Sequence, residues 1–365
     1  MIQPTDTPRK VRALVVDDSR LMRRILSSSL REGGRIEVVG TAADTSEART
    51  LIKSLNPDVV TLDVEMPGMD GITFLRKIME LRPTPVVMVS TLTAAGADTT
   101  LTALAIGAVD ALPKPAGREE LADFGRLLRE KVENAASARL QPARIAGAAD
   151  EVASPAPKMH SPRRPGGIVP RMIAIGSSTG GVSALGQLLE GLPATCPPIV
   201  ITQHMPPMFT ARLAARLDDV LPMDVAEARD MEDIRSGMIR IAPGDAHLCV
   251  QKSGLGVVTR LDESGPISGH RPSVDVMFNS AATAVGRSAI GIILTGMGRD
   301  GAAGMRAMRN TGAYCIGQNE RSCVVYGMPR AARELDAVDE ELDLREIPPR
   351  VCGFLNEPSA MKKPA

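Results

Sequence analysis

The stretch RMIAIGSSTGGVSALGQLLEGL, residues 171–192, passes from a short apolar run through small polar residues into an amphipathic segment. The apolar run is typical of a buried strand, and the later segment has apolar residues at helical spacing. Two adjacent glycines permit a tight connection between them. A strand that leads directly into a helix is the repeating unit of parallel α/β folds, so the stretch predicts such a fold for its surroundings.

The same alternation occurs in two parts of the 365-residue chain. Between these parts, residues 133–170 are rich in Ala, Pro, Arg and Gly and hold too few large apolar residues to form a core. We therefore predict a first domain at residues 10–132, a flexible linker at 133–170 and a second domain at 171–355. The first domain is expected to be a doubly wound, flavodoxin-like α/β domain, and the second a mainly parallel α/β domain.

Composition narrows the classes of partner. The 43 basic and 43 acidic residues cancel, so no basic surface for nucleic acid or membranes is indicated. The first residues, MIQPTDTPRK, have no apolar core of the kind that a signal peptide needs, and no run of about 18 apolar residues could span a bilayer, so we expect neither a signal peptide nor a membrane span. We expect a cytoplasmic protein whose partners are proteins or small molecules, without nucleic-acid binding or membrane insertion.

Acidic side chains follow two apolar runs of the first domain. Asp17 and Asp18 come after VRALVV, and Asp63 comes after DVVTL. The carboxyl ends of parallel strands meet at one edge of a sheet, where ligands bind. Carboxylates crowded there repel one another unless a hard divalent cation lies between them. Lys114 can add a positive charge at the same edge, although Asp17 and Asp18 can also simply cap the following helix.

The SSTGG turn of the second domain has three interpretations. It can be a capped helix start, a cradle for a nucleotide phosphate, or the site of an activated serine nucleophile. GSSTGG matches neither the dinucleotide fingerprint nor the P-loop, and Gln203 and His204 follow the next strand where a dinucleotide site would have an acidic residue. These observations weaken the phosphate interpretation.

A serine nucleophile requires a base and a carboxylate that orients the base. His204 and Asp300 each follow a buried apolar run, which places them at the same sheet edge as the serines. The residues alone leave several alternatives open: Ser177 or Ser178 as nucleophile, His204, His247 or His270 as base, and Asp245 or Asp300 as carboxylate.

The motifs LVVDDS, LDVEMPGMDG, VVMVST and LPKP of the first domain resemble those of response-regulator receiver domains. The resemblance implies that Asp63 accepts a phosphoryl group from a histidine kinase. It also implies a Mg²⁺ site formed by Asp18, Asp63, the backbone carbonyl of Glu65 and, through water, Asp17. Ser90 and Lys114 would form the switch pair that meets the phosphoryl group. Ala111 departs from the family, which usually has an aromatic switch residue there, so we expect the signal to pass through Ser90 and the surrounding backbone instead.

The second domain resembles the catalytic domain of the chemotaxis response regulators that are protein-glutamate methylesterases. The resemblance rests on IGSSTGG, ITQHMP, IAPGDAHL, GHRPSVDVMF, ILTGMGRDG and VYGMPRAA, in that order. It implies Ser178 as nucleophile, His204 as general base and Asp300 as orienting carboxylate. Met297 would donate its backbone N–H to the oxyanion hole, which Thr179 and Gly180 help to shape, whereas Arg299 stands where the family often has Asn.

The combined resemblance implies a phosphorylation-activated enzyme of chemotactic adaptation. Such an enzyme hydrolyses γ-glutamyl methyl esters on methyl-accepting chemoreceptors, releases methanol and also deamidates receptor glutamines. The family further implies Mg²⁺ in the receiver domain, no cofactor in the catalytic domain, and an unphosphorylated receiver that covers the catalytic cleft. The alternative is a receiver-controlled module that binds a nucleotide or another small molecule.

Overall fold

The structure is a computed structural model that describes residues 9–140 and 171–356, apart from residues 67, 92 and 255. The chain divides into two compact units, residues 1–146 and 147–365. Most of the predicted linker, from residue 141 to 170, lies outside the described residues. The last helix of the first unit continues to Ala136, beyond the predicted domain end at residue 132.

The first unit is built on a five-stranded, fully parallel sheet in the order β2-β1-β3-β4-β5. Its strands are β1 Val11–Val16, β2 Ile36–Ala42, β3 Val59–Asp63, β4 Val86–Ser90 and β5 Asp110–Pro113. This is the flavodoxin-like order, in which the chain changes direction beside β1 and leaves a crevice at the carboxyl ends of β1 and β3.

Helices follow each strand of this sheet, and polar side chains cap four of them. They are α1 Arg20–Arg31, α2 Thr45–Leu55, α3 Gly71–Leu81, α4 Ala94–Ile106 and α5 Leu121–Ala136, the last preceded by the 3₁₀ turn Arg118–Glu120. Side chains of Ser19, Asp44, Asp70 and Thr93 accept hydrogen bonds from N–H groups in the first turn of α1 to α4. These caps satisfy donors that have no partner within the helix.

The second unit contains a seven-stranded parallel sheet in the order β15-β14-β13-β6-β7-β10-β8. Its strands are β6 Met172–Ser177, β7 Ile199–Gln203, β8 Asp224–Glu227, β10 Met238–Ile241, β13 Ala289–Ile293, β14 Tyr314–Gln318 and β15 Glu340–Leu342. A small antiparallel sheet adds β9 Asp233–Ile234, β11 His247–Ser253 and β12 Gly256–Asp262. The predicted fold class, two parallel α/β units, is confirmed.

Six helices complete the described part of the second unit. They are α6 Gly181–Glu190, α7 Pro207–Val220, α8 Val274–Ala284, α9 Ala302–Asn310, α10 Met328–Glu334 and α11 Ile347–Asn356, with 3₁₀ turns at Gly286–Ser288 and Leu344–Glu346. No helix of the described residues is long and apolar enough to cross a membrane.

Helix α8 begins in direct contact with the central strand β6. A Cβ added at Gly176 would lie 2.2 Å from the Val274 side chain, and one added at Gly301 would lie 2.5 Å from it. Val274 and Phe278 are fully buried in the core beneath the sheet edge. The two glycines therefore let the start of α8 approach the carboxyl ends of β6 and β13, where the polar side chains described below meet.

Candidate active site and phosphorylation site

Three carboxylates converge at the carboxyl ends of β1 and β3, as predicted. One oxygen each of Asp17, Asp18 and Asp63 lies within 4.8 Å of the others. Asp17 and Asp63 are buried, whereas Asp18 is exposed. The Glu65 backbone lies beside them, because its N–H donates to Asp63 Oδ1 at 3.3 Å. Oxygen donors gathered at an accessible edge suit a hard divalent cation such as Mg²⁺.

Lys114 extends from the end of β5 into this group. Its Nζ lies 2.7 Å from Asp63 Oδ2 and 2.9 Å from Asp17 Oδ2. Burial raises the pKa of Asp63, although Lys114 acts in the opposite direction. Burial alone would lower the pKa of Lys114, but its hydrogen bonds and ion pairs with Asp63 and Asp17 outweigh that effect and raise it. Lys114 thus stays positively charged beside the Asp63 carboxylate.

Ser90 ends β4 next to Lys114, whose backbone N–H donates to the Ser90 carbonyl at 2.7 Å. The buried Ser90 hydroxyl lies 2.8 Å from Thr100 Oγ1 on α4, and Thr100 in turn donates to the Gly96 carbonyl. Ala111 pairs with Met88 within the sheet and carries no ring that could rotate. The predicted switch hydroxyl therefore connects to α4 through a second hydroxyl, a contact that the sequence did not reveal.

The two serines of the SSTGG turn have different environments. Ser177 is fully buried, and its hydroxyl donates to Gln203 Oε1 at 2.7 Å. Ser178 is half-buried and begins the turn, where its N–H donates to the Thr295 carbonyl at 3.1 Å. Gln203 Nε2 donates to the Ser178 carbonyl at 2.9 Å. The Ser177 hydroxyl is thus engaged in a buried hydrogen bond, whereas Ser178 is positioned by hydrogen bonds of its backbone N–H and carbonyl.

Glycines make room for the turn. Gly180 has φ +77, and a Cβ there would lie 2.7 Å from the Val324 Cβ. A Cβ at Gly296 would lie 2.8 Å from the Ser178 Cβ. Positive φ and close approach both favour glycine. Gly180 therefore lets the turn pack against Val324, and Gly296 lets the loop after β13 approach Ser178.

His204 follows β7 and lies next to the serine turn. Its N–H donates to the Ser177 carbonyl at 3.1 Å, because β6 and β7 pair side by side up to Ser177 and Gln203. Its imidazole Nε2 lies 2.8 Å from Asp300 Oδ2. Within the described residues Nδ1 is buried and has no hydrogen-bond partner. Asp300 therefore engages one ring nitrogen of His204 and leaves the other available as a base.

The first turn of α8 holds the carboxylate of Asp300. Oδ1 accepts hydrogen bonds from Ser273 Oγ at 2.7 Å and from the Asp275 N–H at 3.1 Å, and Oδ2 accepts one from the Val274 N–H at 2.7 Å. Burial would raise the pKa of Asp300, but the hydrogen bond and charge of His204, together with the bonds from α8, lower it to about 2. The carboxylate is thus ionised at neutral pH, and its stabilising contribution is lost only as the pH falls from 3.8 through about 2.

The other candidates for the general base and for the orienting carboxylate have different environments. His247 is fully buried, with Nδ1 accepting from the Ser273 N–H at 3.0 Å and Nε2 3.2 Å from the Gly265 carbonyl. Its role is to hold the segment before α8. Asp245 is exposed, and His270 stacks its ring on that of His204. The structure brings Asp300 to His204 and engages His247 elsewhere.

The loop after β13 supplies the remaining predicted residues. Thr295 Oγ1 donates to the Thr179 carbonyl at 3.0 Å, which ties this loop to the serine turn. No hydrogen bond of the Met297 N–H is found within the described residues, and the Met297 side chain is exposed. This N–H is available for an oxyanion. Arg299 is also exposed.

Sequence reasoning assigned no role to two residues that organise the site. Gln203 connects the Ser177 hydroxyl with the Ser178 carbonyl, and Ser273 connects Asp300 with His247. Gln203 was detectable as a polar residue at the end of an apolar strand. Ser273 was detectable as a helix-capping residue in RPSVD, but its bond to Asp300 depends on a contact between distant segments.

Together, a receiver-type unit and an α/β unit with serine, histidine and aspartate at one sheet edge define the class of response regulators with a hydrolase output. Comparison with known proteins supports this class. The family model of CheB methylesterase matches residues 173–351, and that of the response regulator receiver domain matches residues 13–124. The solved catalytic domain of Thermotoga maritima CheB methylesterase is 39% identical, with a TM-score of 0.50, over 51% of this chain and 98% of that domain.

Two curated relatives match along nearly the whole chain. Protein-glutamate methylesterase/protein-glutamine glutaminase 1 of Dechloromonas aromatica is 49% identical over 96% of this chain and 99% of the relative. The relative of the same name from Caulobacter vibrioides is 54% identical over 93% of this chain and 96% of its own length. The chain belongs to the protein-glutamate methylesterase/protein-glutamine glutaminase family. Membership decides between the enzyme and the small-molecule-binding module in favour of the enzyme.

Proposed function

We propose that the protein hydrolyses γ-glutamyl methyl esters on chemoreceptors, deamidates receptor glutamines, and does both under the control of phosphorylation at Asp63. The hydrogen bond between His204 Nε2 and Asp300, which leaves Nδ1 without a partner among the described residues, supports this function most directly. It sets one nitrogen of the imidazole as the base beside the serine turn. The sequence similarity described above gives the substrate class.

The reaction proceeds through an acyl-enzyme. His204 Nδ1 takes the proton of Ser178 Oγ as that oxygen attacks the ester carbonyl carbon, and the Met297 N–H stabilises the tetrahedral oxyanion. Collapse of this intermediate expels methanol, which receives the proton from His204. Water then attacks the acyl carbon as His204 takes its proton, the bond between the acyl carbon and Ser178 Oγ breaks, and Oγ regains the proton from His204, which leaves a free glutamate carboxylate. With a glutamine substrate the same steps expel ammonia.

Asp300 stabilises the imidazolium that forms in each step. Although burial opposes ionisation, its carboxylate remains ionised because the hydrogen bond and charge of His204, together with the hydrogen bonds from Ser273 and the Val274 N–H, favour the charged form. The gain is largest when His204 carries the proton, so it lowers the barrier rather than the energy of the bound substrate.

In the receiver unit, Asp63 accepts the phosphoryl group from a histidine kinase. Asp18, Asp63 and the backbone carbonyl of Glu65, with Asp17 through water, would hold Mg²⁺, which would supply positive charge to the transferred phosphoryl oxygens. Lys114 contributes a second positive charge, 2.7 Å from Asp63 Oδ2. Ser90 is the residue that we propose to leave Thr100 and to meet the phosphoryl group.

Asp63→Asn tests the esterase activity and its control by phosphorylation in one experiment. We expect wild-type protein to release methanol from methylated receptor fragments and to release it faster with acetyl phosphate and Mg²⁺. The variant should lose phosphoryl incorporation and stimulation but keep the basal rate, because an amide is a poor nucleophile. Asp70→Asn is the matched control, since Asp70 caps α3 and asparagine caps almost as well. Absence of methanol release from the wild type would refute the proposed function, and stimulation retained in Asp63→Asn would refute the acceptor.

Ser90→Ala separates phosphorylation from its effect. We expect phosphoryl incorporation at Asp63 to persist, because Lys114 and the carboxylates remain, whereas stimulated methanol release should fall to the basal rate. The reason is that Ser90 is the link from the acceptor edge to Thr100 and α4. Incorporation measured on the same samples is the control. Unchanged stimulation would show that the signal takes another route.

A further inference from the structure

The imidazole of His270 lies flat against that of His204. The ring centroids are 4.1 Å apart, and the ring planes differ by 6°. His270 has no role in the proposed reaction, and the sequence indicated it only as one of three alternatives for the general base. A parallel ring at this distance covers one face of the imidazole that exchanges protons with Ser178.

The segment that carries His270 is a hydrogen-bonded turn that is joined to the site on its carboxyl side. Before it, Ile267 and His270 exchange two backbone hydrogen bonds of 3.0 Å each. After it, the Ser273 hydroxyl bonds to Asp300, and the Ser273 N–H bonds to His247. The segment of His270 is therefore bonded, through Ser273, to the same carboxylate that holds His204.

His204 needs such a support. The hydrogen bond from Nε2 to Asp300 fixes one point of the ring, and rotation about the Cβ–Cγ bond can still swing the opposite edge. Nδ1 has no hydrogen-bond partner within the described residues to oppose that rotation. A stacked ring opposes it through contact over the whole face.

We propose that His270 is a positioning residue, whose stacked ring holds the imidazole plane of His204 so that Nδ1 points at Ser178 Oγ. This inference rests on the proposed function and deepens it. The effect belongs to the chemical step, since a small displacement of a catalytic group costs up to about 100-fold in rate. Substrate binding is not expected to depend on it.

The test compares His270→Ala with His270→Phe in the full-length protein. Alanine removes the ring, and phenylalanine keeps a flat ring that cannot accept or donate a proton. We expect His270→Ala to lower kcat for methanol release by about 10- to 100-fold with KM within about twofold. His270→Phe should restore kcat to within about threefold of wild type. Ile267→Ala, which changes an exposed side chain of the same turn, is the matched control.

A second readout is the rate at which a fluorophosphonate probe labels Ser178, because that reaction needs the activated serine but not the receptor. We expect His270→Ala to label more slowly by the same factor, with a circular-dichroism spectrum and thermal midpoint close to those of Ile267→Ala. Equal losses in the Ala and Phe variants, a change confined to KM, or wild-type labelling of His270→Ala would overturn the positioning role. Wild-type protein that labels but releases no methanol would instead reject the proposed substrate and leave the labelling comparison to decide on His270.

Discussion

Ser178→Ala is expected to reduce methanol release by about 10⁴-fold or more, because the hydroxyl that forms the acyl-enzyme is lost and the other groups cannot replace it. The backbone of this turn should persist, since Ser178 is held by hydrogen bonds of its N–H and carbonyl rather than of its side chain. Initial rates on methylated receptor fragments measure the effect, and the thermal midpoint checks the fold.

Ser177→Ala is the matched control for this prediction. The Ser177 hydroxyl donates to buried Gln203, so its removal leaves an unpaired oxygen and costs about 1 to 3 kcal/mol of stability. The nucleophile remains, and we expect activity within about tenfold of wild type. If Ser177→Ala were the inactive variant and Ser178→Ala the active one, the nucleophile would be Ser177 and the geometry would require a different interpretation.

Asp300→Asn should lower kcat by about 10⁴-fold, the scale of the corresponding change in a serine protease triad. Among the described residues, the four hydrogen bonds found for this carboxylate are two on each oxygen, with the carboxylate oxygen as acceptor. Either orientation of an asparagine amide therefore points its NH₂ group at two donors. When the NH₂ group takes the place of Oδ2, it donates to His204 Nε2, and the proton of His204 moves to Nδ1, which can then no longer accept one from serine.

The control for this second prediction is Asp245→Asn, because Asp245 also follows a strand of the same sheet but is exposed. We expect its kcat to match that of wild type. Measurement of kcat for both variants, together with unfolding by urea, distinguishes lost chemistry from lost stability. A large loss in Asp245→Asn with full activity in Asp300→Asn would exchange the two assignments.

The local pattern of the chain was sufficient to predict the parallel sheets. Apolar runs such as VRALVV and MIAIG, each followed by a polar turn and an amphipathic helix, encode a strand and helix within about twenty residues, and neighbouring units pack in parallel. The small sheet of β9, β11 and β12 was not predicted. Its strands are short and mix charged with apolar residues, so their period does not separate them from loops.

The fold class, the cluster of carboxylates in the first unit and the position of the serine turn could be predicted from the sequence, because they depend on residues close together in the chain or on strand ends that share one edge. The other contacts of the site could not be predicted in this way. Strand β13 lies beside β6 although β7 to β12 come between them in sequence, and this order carries Asp300 to His204. Asp245 and Asp300 follow strands of the same sheet, but only Asp300 meets the N–H groups of α8 and the ring of His204. Such contacts depend on strand order and helix packing, which no local pattern encodes.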